Sequence, residues 1–206
     1  MTCRRLWVFG DSIAAGTWLA DPASQSWPAQ LDALAGGGQV RNLGVGGQAV
    51  AFDGGPQLPR MDTYVRDTLL ATPAAELPEL LLFAGGTNDL IRSADMSETR
   101  WAVFGLGSWV AQNFPSVRFL PLTITPLRSD HGASPVALSE RRATYNTWAR
   151  AQYGMAGQLI DTGDLLCAGA TYADVRWFVD SLHPNVDGAG IIARGVHTVL
   201  TTRGLL

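Results

Sequence analysis

The chain has 206 residues, 47% hydrophobic and 16% charged, with a net charge of -3. Its 15 basic residues are all arginine, which excludes Schiff-base, pyridoxal-phosphate and phosphate-loop chemistry that needs a lysine amine. No basic stripe suits nucleic acid, no apolar run reaches the ~18 residues of a membrane helix, and charge this sparse suits a folded domain with a large interior rather than a disordered chain.

The first strand-like run is residues 6–9 (LWVF), reached directly from Met1-Thr2-Cys3-Arg4-Arg5. That run is too short for a signal-peptide core and no small-residue cleavage site follows, so a cytoplasmic location is expected. It ends in Gly10-Asp11-Ser12-Ile13. A serine between a parallel strand and the next helix sits at the edge of the sheet where such folds bind ligands. Alone, Ser12 reads equally as a helix N-cap.

The second run, residues 39–43, leads into Asn42-Leu43-Gly44-Val45-Gly46-Gly47-Gln48, whose small residues expose backbone N–H groups. Gly44-x-Gly46-x-x-Ala49 also fits a dinucleotide fingerprint, but the required helix is cut short at Asp53-Gly54-Gly55-Pro56 and the motif is not on the first strand. A Pro/Gly-rich loop, 52–60, follows. The third run, 80–84 (LLLFA), is apolar throughout, as a strand covered on both faces would be. Directly after it stands Gly85-Gly86-Thr87-Asn88-Asp89, where Asn88 is either a turn residue or an amide donor aimed at a ligand.

The fourth run, 117–124, opens into a second long loop, 125–135, in which Arg128 and His131 could meet an anionic or sugar group, although solvation suffices to explain them. A helix is predicted from about Ser139 to Tyr153, with Gly154 as its stop. The fifth run is 158–160. Near the end, Asp180-Ser181-Leu182-His183-Pro184-Asn185 places a carboxylate three positions before a histidine, close enough to fix its tautomer. The last helix begins after Asn185 as cap, carries Asp187 in its first turn, and closes with Arg203 before Gly204.

Strands alternating with helix-length stretches predict an α/β domain with a parallel sheet, and no linker divides residues 1–206. Cys3 before the first strand and Cys167 after the last are placed at opposite ends of the sheet, beyond the ~7 Å reach of a disulfide, so two free thiols are expected. With only these cysteines, His131, His183 and His197, and no HExxH or CxxC spacing, neither zinc nor any other cofactor is expected. No Gly-x-Ser-x-Gly elbow occurs.

Taken in order, Gly10-Asp11-Ser12, Gly47 within NLGVGGQ, Gly86-Thr87-Asn88-Asp89 and Asp180 to Pro184 make the chain resemble the SGNH hydrolases, or GDSL esterases and lipases, over residues 8 to 190. Ile13 stands where the family often has leucine, and Gly44 and Gly46 replace serines common in its second block. The resemblance implies a flavodoxin-like three-layer α/β/α fold with a five-stranded parallel sheet in the order 2-1-3-4-5. It also implies Ser12 as nucleophile, His183 as base, Asp180 as its orienting carboxylate, and an oxyanion hole from the Ser12 and Gly47 amides and the Asn88 side chain. A small-molecule ester, with a short acyl group or an acetylated sugar, is the expected substrate. An acyltransferase using the same triad and a non-catalytic carbohydrate-binding descendant are the alternatives. Ile13, Trp18, Phe52, Leu90, Trp177 and Phe178 are candidate pocket walls.

Overall fold

The computed structural model describes residues 4–54, 57–93, 95–128, 134–167 and 173–206. Four strands, β1 (Leu6–Gly10), β2 (Val40–Asn42), β3 (Leu80–Ala84) and β4 (Arg118–Pro121), pair in parallel in the order β2-β1-β3-β4. Register places Val8 beside Asn42 and Leu82, and Gly10 beside Ala84. The motif-bearing segments following β1, β2 and β3 therefore leave the same edge of the sheet from three adjacent strands.

Among the described residues eight α-helices surround the sheet: α1 (Ser12–Ala15), α2 (Pro22–Gln25), α3 (Trp27–Leu34), α4 (Met61–Ala71), α5 (Thr87–Arg92), α6 (Ser97–Asn113), α7 (Pro135–Ala149) and α8 (Val186–Thr202). Strand side chains alternate between faces with period two, and both faces are covered. Leu6, Val8, Leu80, Leu82 and Leu120 pack with Trp27 and Leu31 of α3 and with Ile192, Val196 and Leu200 of α8. Trp7, Phe9, Leu81, Phe83 and Phe119 pack on the other side with Met61, Val65 and Leu69 of α4, Val103, Leu106 and Val110 of α6, and Tyr145 of α7. Each fully buried side chain of this size contributes about 1.5–3 kcal/mol relative to exposure, so the two layers hold the sheet edge that carries the site.

The expected fifth strand contracts to a single parallel bridge, Leu122 to Ile160. Beyond it, side chains replace the ladder. The Thr162 hydroxyl donates to the Thr123 carbonyl at 2.6 Å, and Asp161 accepts from Thr123 Oγ1 and from Arg150 at 2.8 and 2.7 Å. The order 2-1-3-4 otherwise stands, with segment 158–160 beside β4 in place of a full strand.

Helix α7 starts at Pro135, earlier than the apolar period suggests, because a proline at the first helical position needs no hydrogen-bond partner. Its expected last turn instead opens into a π-helical turn, Arg150–Gly154. Helix α8 matches expectation, with Asn185 Oδ1 accepting from the Gly188 amide at 2.9 Å. Among the described residues no helix is long and apolar enough to cross a membrane. Cys167 is a half-buried free thiol, while Cys3 lies outside the described residues.

Candidate active site

Ser12 is the first residue of α1, immediately past the end of β1. Asp11 fixes this sharp strand-to-helix junction, its buried carboxylate accepting from the Ile13 amide at 3.0 Å. Burial pushes the Asp11 carboxyl up to about 6, the Ile13 amide and the Thr87 hydroxyl pulling the other way and the nearby Asp89 charge adding to the rise.

The Asp180–His183 pair arrives from the far end of the chain. Ser12 Oγ lies 2.9 Å from His183 Nε2 across 171 residues of sequence. His183 Nδ1 lies 2.8 Å from Asp180 Oδ2, and the other carboxylate oxygen, Oδ1, accepts from the backbone amides of Leu182 and His183 at 2.7 and 2.6 Å. Partial burial works against the Asp180 charge, but the His183 amide and ring and the Leu182 amide outweigh it and hold the carboxyl below its ordinary value. An ionised carboxylate only accepts, so Nδ1 carries the ring proton and Nε2 is left as the acceptor facing Ser12.

The second block lies beside this pair. Asn42 ties it to α1, donating to the Ala14 carbonyl at 2.8 Å and accepting from the Gly44 amide at 3.0 Å. Gly47 has a φ of 78°, a left-handed conformation that a side chain would strain. Among the described residues the amides of Ser12 and Gly47 donate to no protein acceptor. Asn88 Nδ2 donates one hydrogen to the Gln48 carbonyl at 3.0 Å, which orients the carboxamide and leaves its second N–H for a ligand.

Three further contacts were not foreseen from sequence. Asp89, quoted only as part of its motif, is fully buried and accepts from the Val50 and Ala51 amides at 2.7 and 2.8 Å and from Thr99 Oγ1 at 3.1 Å. Burial pushes its carboxyl up while those three donors oppose the shift. It thereby pins the loop that carries Gly47. Arg128, for which a substrate contact was offered and plain solvation sufficed, donates to the Asp180 backbone carbonyl at 3.2 Å, and its own amide donates to the Ser181 carbonyl. It braces the segment holding Asp180 and His183. His131, its companion in that reading, lies outside the described residues. The third is Trp18, whose indole Nε1 donates to His183 Nε2 at 3.1 Å.

Of the candidate walls, Ile13 and Trp18 line a small cavity of about 10 Å3 with Ser12 and His183. Leu90 and Phe178 do not: both are buried in the packed layers, Leu90 against the α4–α6 side and Phe178 against α8. Phe52 is half-buried against the first layer, and Trp177 packs on the second with the Arg176 guanidinium 5.1 Å from its ring centre. A strand or turn periodicity shows that these side chains point inward, but not whether inward means core or cleft. Among the described residues no three His, Cys, Asp or Glu side chains converge as metal ligands would.

Residues 8–191 match the sequence profile of the GDSL-like lipase/acylhydrolase family. No curated protein matches the chain. Among solved structures, a proposed arylesterase from Agrobacterium tumefaciens superposes with a TM-score of 0.73 at 22% identity, covering 98% of this chain and all of that one. A proposed acylhydrolase from Bacteroides fragilis gives 0.74 at 15% identity, covering 97% and 88%. A carbohydrate acetylesterase family member from Sinorhizobium meliloti gives 0.69 at 16% identity, covering 96% and 98%. At these identities the three structures establish a shared fold.

Proposed function

The chain belongs to the GDSL-like lipase/acylhydrolase family, and from that premise we propose that it is a serine esterase that cleaves a small carboxylic ester through an acyl-enzyme. The observation that carries the reading is the unbroken relay from Ser12 Oγ to His183 Nε2 at 2.9 Å and from His183 Nδ1 to Asp180 Oδ2 at 2.8 Å.

Ser12 Oγ attacks the ester carbonyl carbon while its proton passes to His183 Nε2. Asp180 holds the ring in the tautomer that permits this and stabilises the imidazolium that results. Negative charge on the former carbonyl oxygen is met by the free amides of Ser12 and Gly47 and by the second N–H of Asn88. As the C–O bond breaks, the leaving oxygen takes the Nε2 proton. Water then gives a proton to Nε2 and attacks the acyl carbon, and Ser12 Oγ leaves with that proton.

One finding favours a short acyl group. Structural relatives include a proposed arylesterase and a carbohydrate acetylesterase family member, and the acetyl group in the second name supports a short acyl group here. The test is a panel of p-nitrophenyl esters from acetate to laurate, assayed with wild type and Ser12→Ala. Turnover greatest at the short end and lost in Ser12→Ala is expected. Absence of Ser12-dependent hydrolysis across the whole panel overturns the esterase reading.

A further inference from the structure

His183 Nε2 offers a single lone pair, and two donors converge on it: Ser12 Oγ at 2.9 Å and Trp18 Nε1 at 3.1 Å. The first contact is the one proton abstraction requires. The second has no place in that step, because an indole N–H donates only. Once Nε2 has taken the serine proton it is itself a donor, and the Trp18 contact would set two N–H groups facing each other. Trp18 can therefore hold Nε2 only while the ring is neutral.

The imidazolium stage is also when the leaving oxygen must come within hydrogen-bond distance of Nε2 to collect its proton. In the second half-reaction the attacking hydroxyl must reach the same nitrogen to surrender one. Trp18 Nε1 stands in that position. Its surroundings fit an occupant that moves. The side chain is 60% exposed, its ring leans on the imidazole at 47° with centroids 5.4 Å apart, and it sits in the short connection between α1 and α2 rather than in a helix. That connection is anchored at its start, where the Gly16 and Thr17 amides both donate to the Ser12 carbonyl. Indole movement is thus hinged next to the nucleophile without displacing it.

We propose that Trp18 fills the alcohol subsite of the free enzyme, its N–H standing in for the hydroxyl of the leaving or attacking alcohol, and that it selects which hydroxyl compounds reach His183. The proposal rests on the assignment of Ser12 and His183 above. It makes no demand on the acyl side, so Trp18 determines alcohol preference and the share of acyl groups passed to an added alcohol rather than to water. In that transfer the alcohol's O–H proton goes to Nε2, its oxygen bonds to the acyl carbon, and Ser12 Oγ departs with the proton.

The experiment compares wild type, Trp18→Phe and Trp18→Ala on two ester series. One holds the acetyl group constant and enlarges the alcohol from methyl to benzyl; the other holds p-nitrophenol constant and lengthens the acyl chain. A third measurement adds butanol to p-nitrophenyl acetate and reads the ratio of butyl acetate to free acetate. In Trp18→Ala, relative kcat/KM across the alcohol series should shift by about tenfold or more, with the acyl series keeping its wild-type profile and the butyl acetate share rising several-fold. Trp18→Phe keeps the bulk without the donor, so it should retain the wild-type order of alcohols while raising kcat/KM for all of them together. An unchanged alcohol profile and product ratio in Trp18→Ala, or a change confined to the acyl series, overturns the proposal while leaving the esterase reading intact. Wild type without Ser12-dependent turnover removes both.

Discussion

At the scale of single residues, the proposed oxyanion donors combine a fixed position with a free N–H. Asn88 illustrates it: one amide hydrogen is committed to the Gln48 carbonyl, the other is available to an oxyanion. A donor of this kind is typically worth ~2.7–4 kcal/mol at the transition state, so Asn88→Ala should lower kcat by ~10²–10³ in steady-state assays with little change in fold. An unaltered kcat would remove Asn88 from the hole. Asp11 carries a different prediction, about pH. Its carboxyl sits near 6 when folded and near the ordinary 3.8 when unfolded, so between those values the folded state binds the extra proton. Stability must then fall as pH rises through that window, and level off above it, by about 3 kcal/mol at most for a shift of this size. Urea titrations of Asp11→Asn, which keeps an oxygen for the Ile13 amide, should lack this part of the slope. An identical pH profile in the two proteins would mean that the Asp11 carboxyl is not raised. Ser12, Asn88, Asp180 and His183 were readable because their motifs place chemistry at fixed offsets from a strand end or a capped helix. The particular contacts of Arg128 and Trp18 were not, since each meets its partner from a distant part of the chain, and nothing local marks a side chain for a contact of that range.

At the scale of elements, Asp89 is the pin between α5 and the loop that carries Gly47. Three donors converge on its two oxygens, and Arg92 of the same helix reaches the Gly47 carbonyl at 3.3 Å. Asp89→Asn turns one of those oxygens into an amide nitrogen that cannot accept, leaving a buried donor unpaired at a cost of about 1–3 kcal/mol. Chemical denaturation should register that loss, and kcat should fall with it as the Gly47 amide loses its fixed position. A variant that loses stability but keeps full kcat would separate the pin from the hole. Elements differed in legibility for local reasons. Helix α8 announces itself through Asn185, Asp187 and an apolar stripe, and its limits came out as read. The start of α7 lies in a Pro/Ser segment that looks like loop, and its end depends on a π-turn whose geometry leaves no compositional mark. The fifth strand is short because Thr123, Arg150, Asp161 and Thr162 supply competing side-chain bonds.

At the scale of the whole molecule, alternate residues of β1 and β3 sort onto opposite faces, and the uninterrupted apolar run at Leu80 to Phe83 already stated that both faces would be covered. The same layering accounts for the low proportion of charge. Strand order has one more consequence. The proposed nucleophile and oxyanion donors follow β1, β2 and β3, all complete by Arg92, whereas Asp180 and His183 come only with the segment that leads into α8. The Ser12 hydroxyl and the imidazole that faces it thus meet only through long-range packing, with α8 seated on α3, so the relay proposed above depends on the whole tertiary structure and on no local turn.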